Sequence, residues 1–115
     1  MTEHTKQPKM DIPSFEQWVH QFYASRQWSG YDSFIRVGFL MEEVGEVARA
    51  VRAMEIGRDR PDEPVPSDSV LHQELVEELG DVLANLLVLA KRYDISMDRI
   101  MQAHKDKLIN RFGPM

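Results

Sequence analysis

A chain of 115 residues with a formal net charge of -5 and a pI near 5.3 is sized for one domain. Its acidity argues against a nucleic-acid polymer or an anionic membrane as main partner, because both attract basic surfaces. The absence of cysteine excludes disulfides, thiolate zinc sites and cysteine nucleophiles, and no apolar run is long enough to span a bilayer.

Residues 1–11 are polar, without the apolar run of a signal peptide, and are expected to form a flexible N-terminal tail to a cytoplasmic protein. One helical domain is expected over 12–115. Pro13 and Ser14 open a first helix in which Phe15, Trp18, Val19, Phe22 and Tyr23 recur at helical spacing until Ser29-Gly30. A second and longest helix is predicted from Asp32 or Ser33 to about Glu55, striped by Val37, Leu40, Met41, Val44, Val47, Ala48 and Val51. Gly57, Pro61, Pro64 and Pro66 make the segment from Ile56 to Ser69 an exposed loop. Ser67 or Asp68 caps a third helix, striped by Leu75, Leu79, Val82, Leu83, Leu86 and Ala90 and ending near Tyr93. Ser96 caps a fourth, with Ile100, Met101, Leu108 and Ile109 on one side and Gly113-Pro114 as its stop.

No run alternates in the manner of a half-buried strand, so the fold class is all-α, a four-helix bundle-like arrangement. Phe39 and Met54 on the second helix, with Leu87 and Val88 on the third, give the helices more than one apolar face. Such breadth predicts that copies of the chain pack together.

Two acidic clusters interrupt this apolar pattern: Glu42-Glu43-Val44-Gly45-Glu46, and Glu74-Leu75-Val76-Glu77-Glu78-Leu79-Gly80-Asp81. At 100° per residue, Phe39, Glu43, Glu46 and Ala50 form one row flanking the second helix's stripe; Glu74, Glu78, Asp81 and Asn85 form a matching row on the third. The two rows can face each other. Like charges at helical spacing cost about 0.2–0.5 kcal/mol per pair, and neither cluster contains a Lys or Arg to offset that. A divalent cation is the better counter-charge. Oxygen-only ligands suit magnesium, with manganese as a possible substitute, and leave positions open for phosphate oxygens. A di-iron carboxylate bundle would need Glu-x-x-His repeats, and none of His4, His20, His72 or His104 lies three residues after a Glu.

Glu43-Val44-Gly45-Glu46 and Glu78-Leu79-Gly80-Asp81 resemble the Glu-x-x-Glu and Glu-x-x-Asp signature of the MazG-like all-α nucleoside triphosphate pyrophosphohydrolases. The context agrees over roughly residues 15–112, including Arg26-Gln27-Trp28, Phe39-Leu40-Met41-Glu42-Glu43, Asp81-Val82-Leu83 and a terminal Lys107, Asn110, Arg111. The departure is a long stretch between Glu46 and Glu78, whose excess is the proline-rich loop. The resemblance implies a MazG fold and magnesium-dependent hydrolysis of a nucleoside triphosphate to monophosphate and pyrophosphate, in clearance of unwanted nucleotides. It implies a dimer or dimer of dimers. By that analogy Glu43, Glu46, Glu78 and Asp81 are metal ligands, while Glu42, or a ligand such as Glu43 acting through its second oxygen, orients or deprotonates the water. Asn85 is a candidate partner for a ligand carboxylate or the substrate. Lys105, Lys107, Asn110 and Arg111 are candidates for the phosphates, and Trp28 beside Arg26 for base stacking. The alternative is a catalytically inactive helical module that binds metal or nucleotide.

Overall fold

Each helix of the computed structural model starts at a side-chain cap. Asp11, Asp32, Ser67 and Ser96 accept hydrogen bonds from the backbone N–H groups of Ser14, Ile35, Val70 and Arg99 at 2.8, 2.9, 3.3 and 3.2 Å, satisfying donors that a helix N-terminus leaves open. The caps define α1 (Ile12–Ser25), α2 (Ser33–Glu55), α3 (Asp68–Arg92) and α4 (Met97–Phe112). The structure describes residues 9–57 and 61–115, with no strand among them. Residues 1–8 of the expected tail, and 58–60 of the expected loop, lie outside the described residues. Asp11, read as the last tail residue, is the α1 cap.

The helix ends matter as much as the starts. Gln27 (φ 62) and Asp94 (φ 57) hold the left-handed conformation that ordinarily goes to glycine. At each, its own N–H and the next one turn back onto carbonyls of the helix: Gln27 to Ala24 and Trp28 to Tyr23 (3.0 and 2.8 Å), Asp94 to Lys91 and Ile95 to Ala90 (both 3.0 Å). The first of these turns folds Trp28 against Tyr23, ring centroids 5.4 Å apart.

Helix α3 is the spine, packed against both α2 and α1; α4 packs on α1. The core lies between α1 and α3, where Val19 (0 % exposed), Leu87 (1 %), Val88 and Ala84 are enclosed by Phe15, Tyr23, Leu83 and Met97. The Glu16 carboxylate accepts the Met97 N–H at 2.7 Å and so pins the start of α4 to α1. The Tyr93 hydroxyl and Arg92 Nε reach the Ser33 hydroxyl at 2.8 and 3.1 Å, tying the end of α3 to the start of α2.

The stripes predicted for α2, α3 and α4 are only partly covered in the single chain, Leu83 alone of them being packed on the core cluster. Val37, Met41, Val44 and Val51 on α2, and Leu79 and Leu86 on α3, are exposed, Met41 at 59 % and Leu79 at 51 %, as are Ile100, Met101, Leu108 and Ile109 on α4. On α2 the buried residues are Arg36 and Ala50, with Glu43 and Glu46 half-buried between them. Helical periodicity identifies an apolar face but not the surface that covers it; here α3 meets the flanking row instead. The radius of gyration, 18.1 Å, exceeds the roughly 13 Å of a compact domain of this length.

Leu87→Ala is expected to cost about 2–5 kcal/mol, read as a lower urea midpoint with an unchanged slope. A loss below about 1 kcal/mol would place the core elsewhere.

Candidate metal centre

The α2–α3 contact brings charged residues together in two layers. Glu43 and Arg36 lie seven residues apart on α2, as Glu78 and Asn85 do on α3, which is two helical turns in each case. In the upper layer, one carboxylate oxygen from each of Glu43, Glu78 and Asp81 lies within 4.8 Å of the others. In the lower layer, Arg36 Nη1 donates to Asn85 Oδ1 at 3.1 Å, and Asn85 Nδ2 donates to the Asp81 backbone carbonyl at 2.8 Å.

Crowding shows in the proton affinities. The Glu43 carboxyl is pushed above its ordinary value by desolvation first, then by the negative charges of Asp81 and Glu78, a hydrogen bond with Asp81, and Glu46. Glu78 is raised by desolvation and by Asp81, Glu46, Glu77 and Glu74. Burial also raises the Tyr23 phenol, with Asp81 and Glu43 adding to the effect and Arg36 opposing it. A hard cation would relieve the repulsion that three convergent carboxylates create, and an all-oxygen donor set fits magnesium, manganese or calcium.

Beside the acids lies a cleft of about 470 Å³. Phe15, Trp18, Phe22, Tyr23 and Trp28 line one side; Glu74, Glu77, Glu78 and Asp81 line the other. Trp18 and Phe22 stack with centroids 4.7 Å apart, and Trp28 meets Phe22 edge-on at 5.9 Å. The result is an aromatic wall of stacked and edge-on rings across the cleft from the acids, suited to a ligand with an aromatic end and an anionic end.

The residues expected from sequence divide accordingly. Glu43, Glu78 and Asp81 converge. Glu46 stands at the flank, 3.9 Å from Arg49 and lining a separate cavity of about 240 Å³ between α2, α3 and the proline-rich loop. Trp28 joins the aromatic wall, with Arg26 over the Phe22 ring at 5.1 Å. Asn85 is committed to Arg36 and the Asp81 backbone rather than to a carboxylate. Glu42 is exposed and outside the convergent group. Lys105, Lys107, Asn110 and Arg111 are exposed along α4. Sequence reasoning missed Arg36, which lies on the acidic row's side of α2 two turns before Glu43, and read Phe15, Trp18 and Phe22 only as packing.

The model of the MazG nucleotide pyrophosphohydrolase domain matches residues 36–113. YvdC of Bacillus subtilis strain 168, a protein of uncharacterized function, is 54 % identical over 103 residues, spanning 90 % of this chain and 97 % of its own. The crystal structure of Bacillus subtilis YPJD, described as a candidate pyrophosphatase, shares the fold with a TM-score of 0.64 at 21 % identity, over 95 % of this chain and 100 % of that one.

Because Glu43 and Glu78 bind protons more tightly in the folded chain than in the unfolded one, the metal-free protein loses stability as pH rises from about 4.5 through their raised values. Glu43→Gln should therefore raise the melting temperature of the metal-free protein at pH 8 by a few degrees, on the order of 0.2–0.5 kcal/mol per relieved pair. The gain should vanish near pH 4, and saturating magnesium should reverse the order of the two proteins. An equal gain at both pH values would remove charge repulsion as its cause.

Proposed function

The chain belongs to the MazG nucleotide pyrophosphohydrolase domain family, and from that premise we propose that it hydrolyses nucleoside triphosphates to monophosphate and pyrophosphate with a divalent metal, magnesium by preference. The observation that carries this reading is the single cleft in which the aromatic wall of α1 faces Glu78 and Asp81. It offers one surface for a base and one for a metal-bridged phosphate chain.

In this reading Glu43, Glu78 and Asp81 hold the cation, with Glu46 at the flank as a fourth ligand or a ligand through water. A bound cation supplies charge neutralisation at the phosphate oxygens and acidifies a water. We assign proton removal from the attacking water to Glu43, acting through the carboxylate oxygen that does not meet the cation; a base must lie within hydrogen-bond reach of the proton it takes, and the exposed Glu42 is outside the cluster. Trp18, Phe22 and Trp28 receive the base, with Arg26 behind them. Lys107, Asn110 and Arg111 are proposed as phosphate contacts, and Asn85 as a support of Asp81. The biological role is removal of surplus or damaged nucleotides in the cytoplasm.

The uncovered stripes support self-association as a dimer or dimer of dimers. Phe34 is 91 % exposed at the start of α2, and the open apolar sides of α2, α3 and α4 exceed what a monomer ordinarily leaves in water.

Incubation with a panel of nucleoside triphosphates and magnesium should release monophosphate and pyrophosphate, and chelation should abolish turnover. Asp81→Ala and Glu78→Ala should lower kcat/KM by about 100-fold or more, the scale of several kcal/mol of charge stabilisation. Release of inorganic phosphate instead would overturn the cleavage position, and metal binding without any turnover would favour a binding module. Light scattering should give a multiple of the 13.4 kDa chain mass; Met41→Glu combined with Val44→Glu should return it to one.

A further inference from the structure

Arg36 is only 3 % exposed, yet no carboxylate pairs with it among the described residues. Its guanidinium instead donates from Nη1 to Asn85 Oδ1 and from Nη2 to the backbone carbonyl of Trp28. The rings of Phe39 and Tyr31 cover it at 5.2 and 5.8 Å, and its Nε is buried without a partner. A buried charge facing neutral acceptors is a poor device for stability, since an apolar side chain of similar volume avoids the desolvation cost. What an apolar side chain cannot do is hold two acceptors on two different elements at one fixed spacing. A guanidinium can, because its donors are set in a rigid planar fork.

The two acceptors are informative. Asn85 also holds the Asp81 backbone carbonyl, so one arm of the fork reaches the helix that carries two of the three clustered carboxylates. The other arm reaches Trp28, which follows the left-handed Gln27 and stands against Tyr23 and Phe22 in the aromatic wall. We infer that Arg36 is a positioning residue that fixes where Trp28, at the end of the aromatic wall, stands relative to the acidic cluster, and so governs which nucleobases the cleft accepts. The inference rests on the nucleotide reading above. Arg36 acts through Trp28 and Asn85 and does not itself touch substrate.

Arg36→Lys keeps the charge and loses the fork; Arg36→Gln, which buries no charge, serves where the lysine variant does not fold. Against the best substrate of the nucleotide panel, KM should rise about tenfold or more, on the scale of lost second-layer support, with kcat changed by less than about threefold. The spread of kcat/KM among bases should narrow. Manganese affinity without nucleotide, measured by titration calorimetry, should stay within about threefold of the wild-type value. In the background of Trp28→Ala, the same Arg36 substitution should raise KM little further, because both changes then act on one contact. An unchanged KM and base preference, a parallel loss of manganese affinity, or effects that multiply in the double variant would each overturn the inference while leaving the hydrolase reading intact. A wild-type protein that neither hydrolyses nor binds any nucleotide of the panel would overturn both.

Discussion

The face between α2 and α3 carries charge where paired helices ordinarily carry apolar side chains, and the rest of the molecule accommodates that fact. Three carboxylates converge in one layer and a guanidinium is buried in the next. Neither layer is self-sufficient. The carboxylates repel one another and draw protons, and the arginine is desolvated against neutral acceptors. The charged layers alone give the helix pair little, so its cohesion comes from the rest of the same contact, Leu71 and Ala50 buried along α3 and α2 and the Tyr93 and Arg92 bonds to Ser33, with the apolar packing of α1 on α3 beside it.

That displacement of the core explains the open shape. With the flanking rows of α2 and α3 turned toward each other, the apolar stripes rotate outward by the angle that separates a row from its neighbour on a helix. Burial of a full aliphatic side chain is worth about 1.5–3 kcal/mol, so the half-exposed valines, leucines and methionines leave stabilisation unrealised in the single chain. The self-association proposed above would cover them. In that proposal, assembly and site formation are two results of one rotational choice.

Local signals were legible in the sequence almost residue for residue. The caps at Ser67 and Ser96 and the stop at Gly113 fall where side-chain chemistry puts them, because caps are settled within a turn of chain. The convergence of Glu43, Glu78 and Asp81 was legible too, since two rows of equal spacing can meet only in a few registers. What was not legible required knowing which face of α2 is covered. Val44 and Val51 outrank Glu43 by hydropathy, and periodicity alone assigns them to the core; only the presence of α3 against the other row reverses that. Arg36 is the same problem in miniature. A basic residue near a helix start is ordinarily solvated, and nothing local to it announces that Asn85, 49 positions away in sequence, will meet it in a buried hydrogen bond.

The division of labour in the proposed reaction follows from the same architecture. The acids sit on α2 and α3, within the residues that match the family model; the wall sits mostly on α1, before that match begins at Arg36. Requirements on the two parts differ. Charge neutralisation at a phosphate chain needs hard oxygen ligands in a narrow geometry, whereas stacking needs only a flat π surface and tolerates many arrangements of Phe, Tyr and Trp. A wall carried on a separate helix can therefore change its shape and preference while the acids stay fixed. What limits that freedom is the joint between them: the turn through Gln27 and Trp28, which Arg36 grips from α2 and relays through Asn85 to α3. Specificity in such a molecule depends on the wall's composition and, by the inference above, on the buried side chain that holds Trp28 in place.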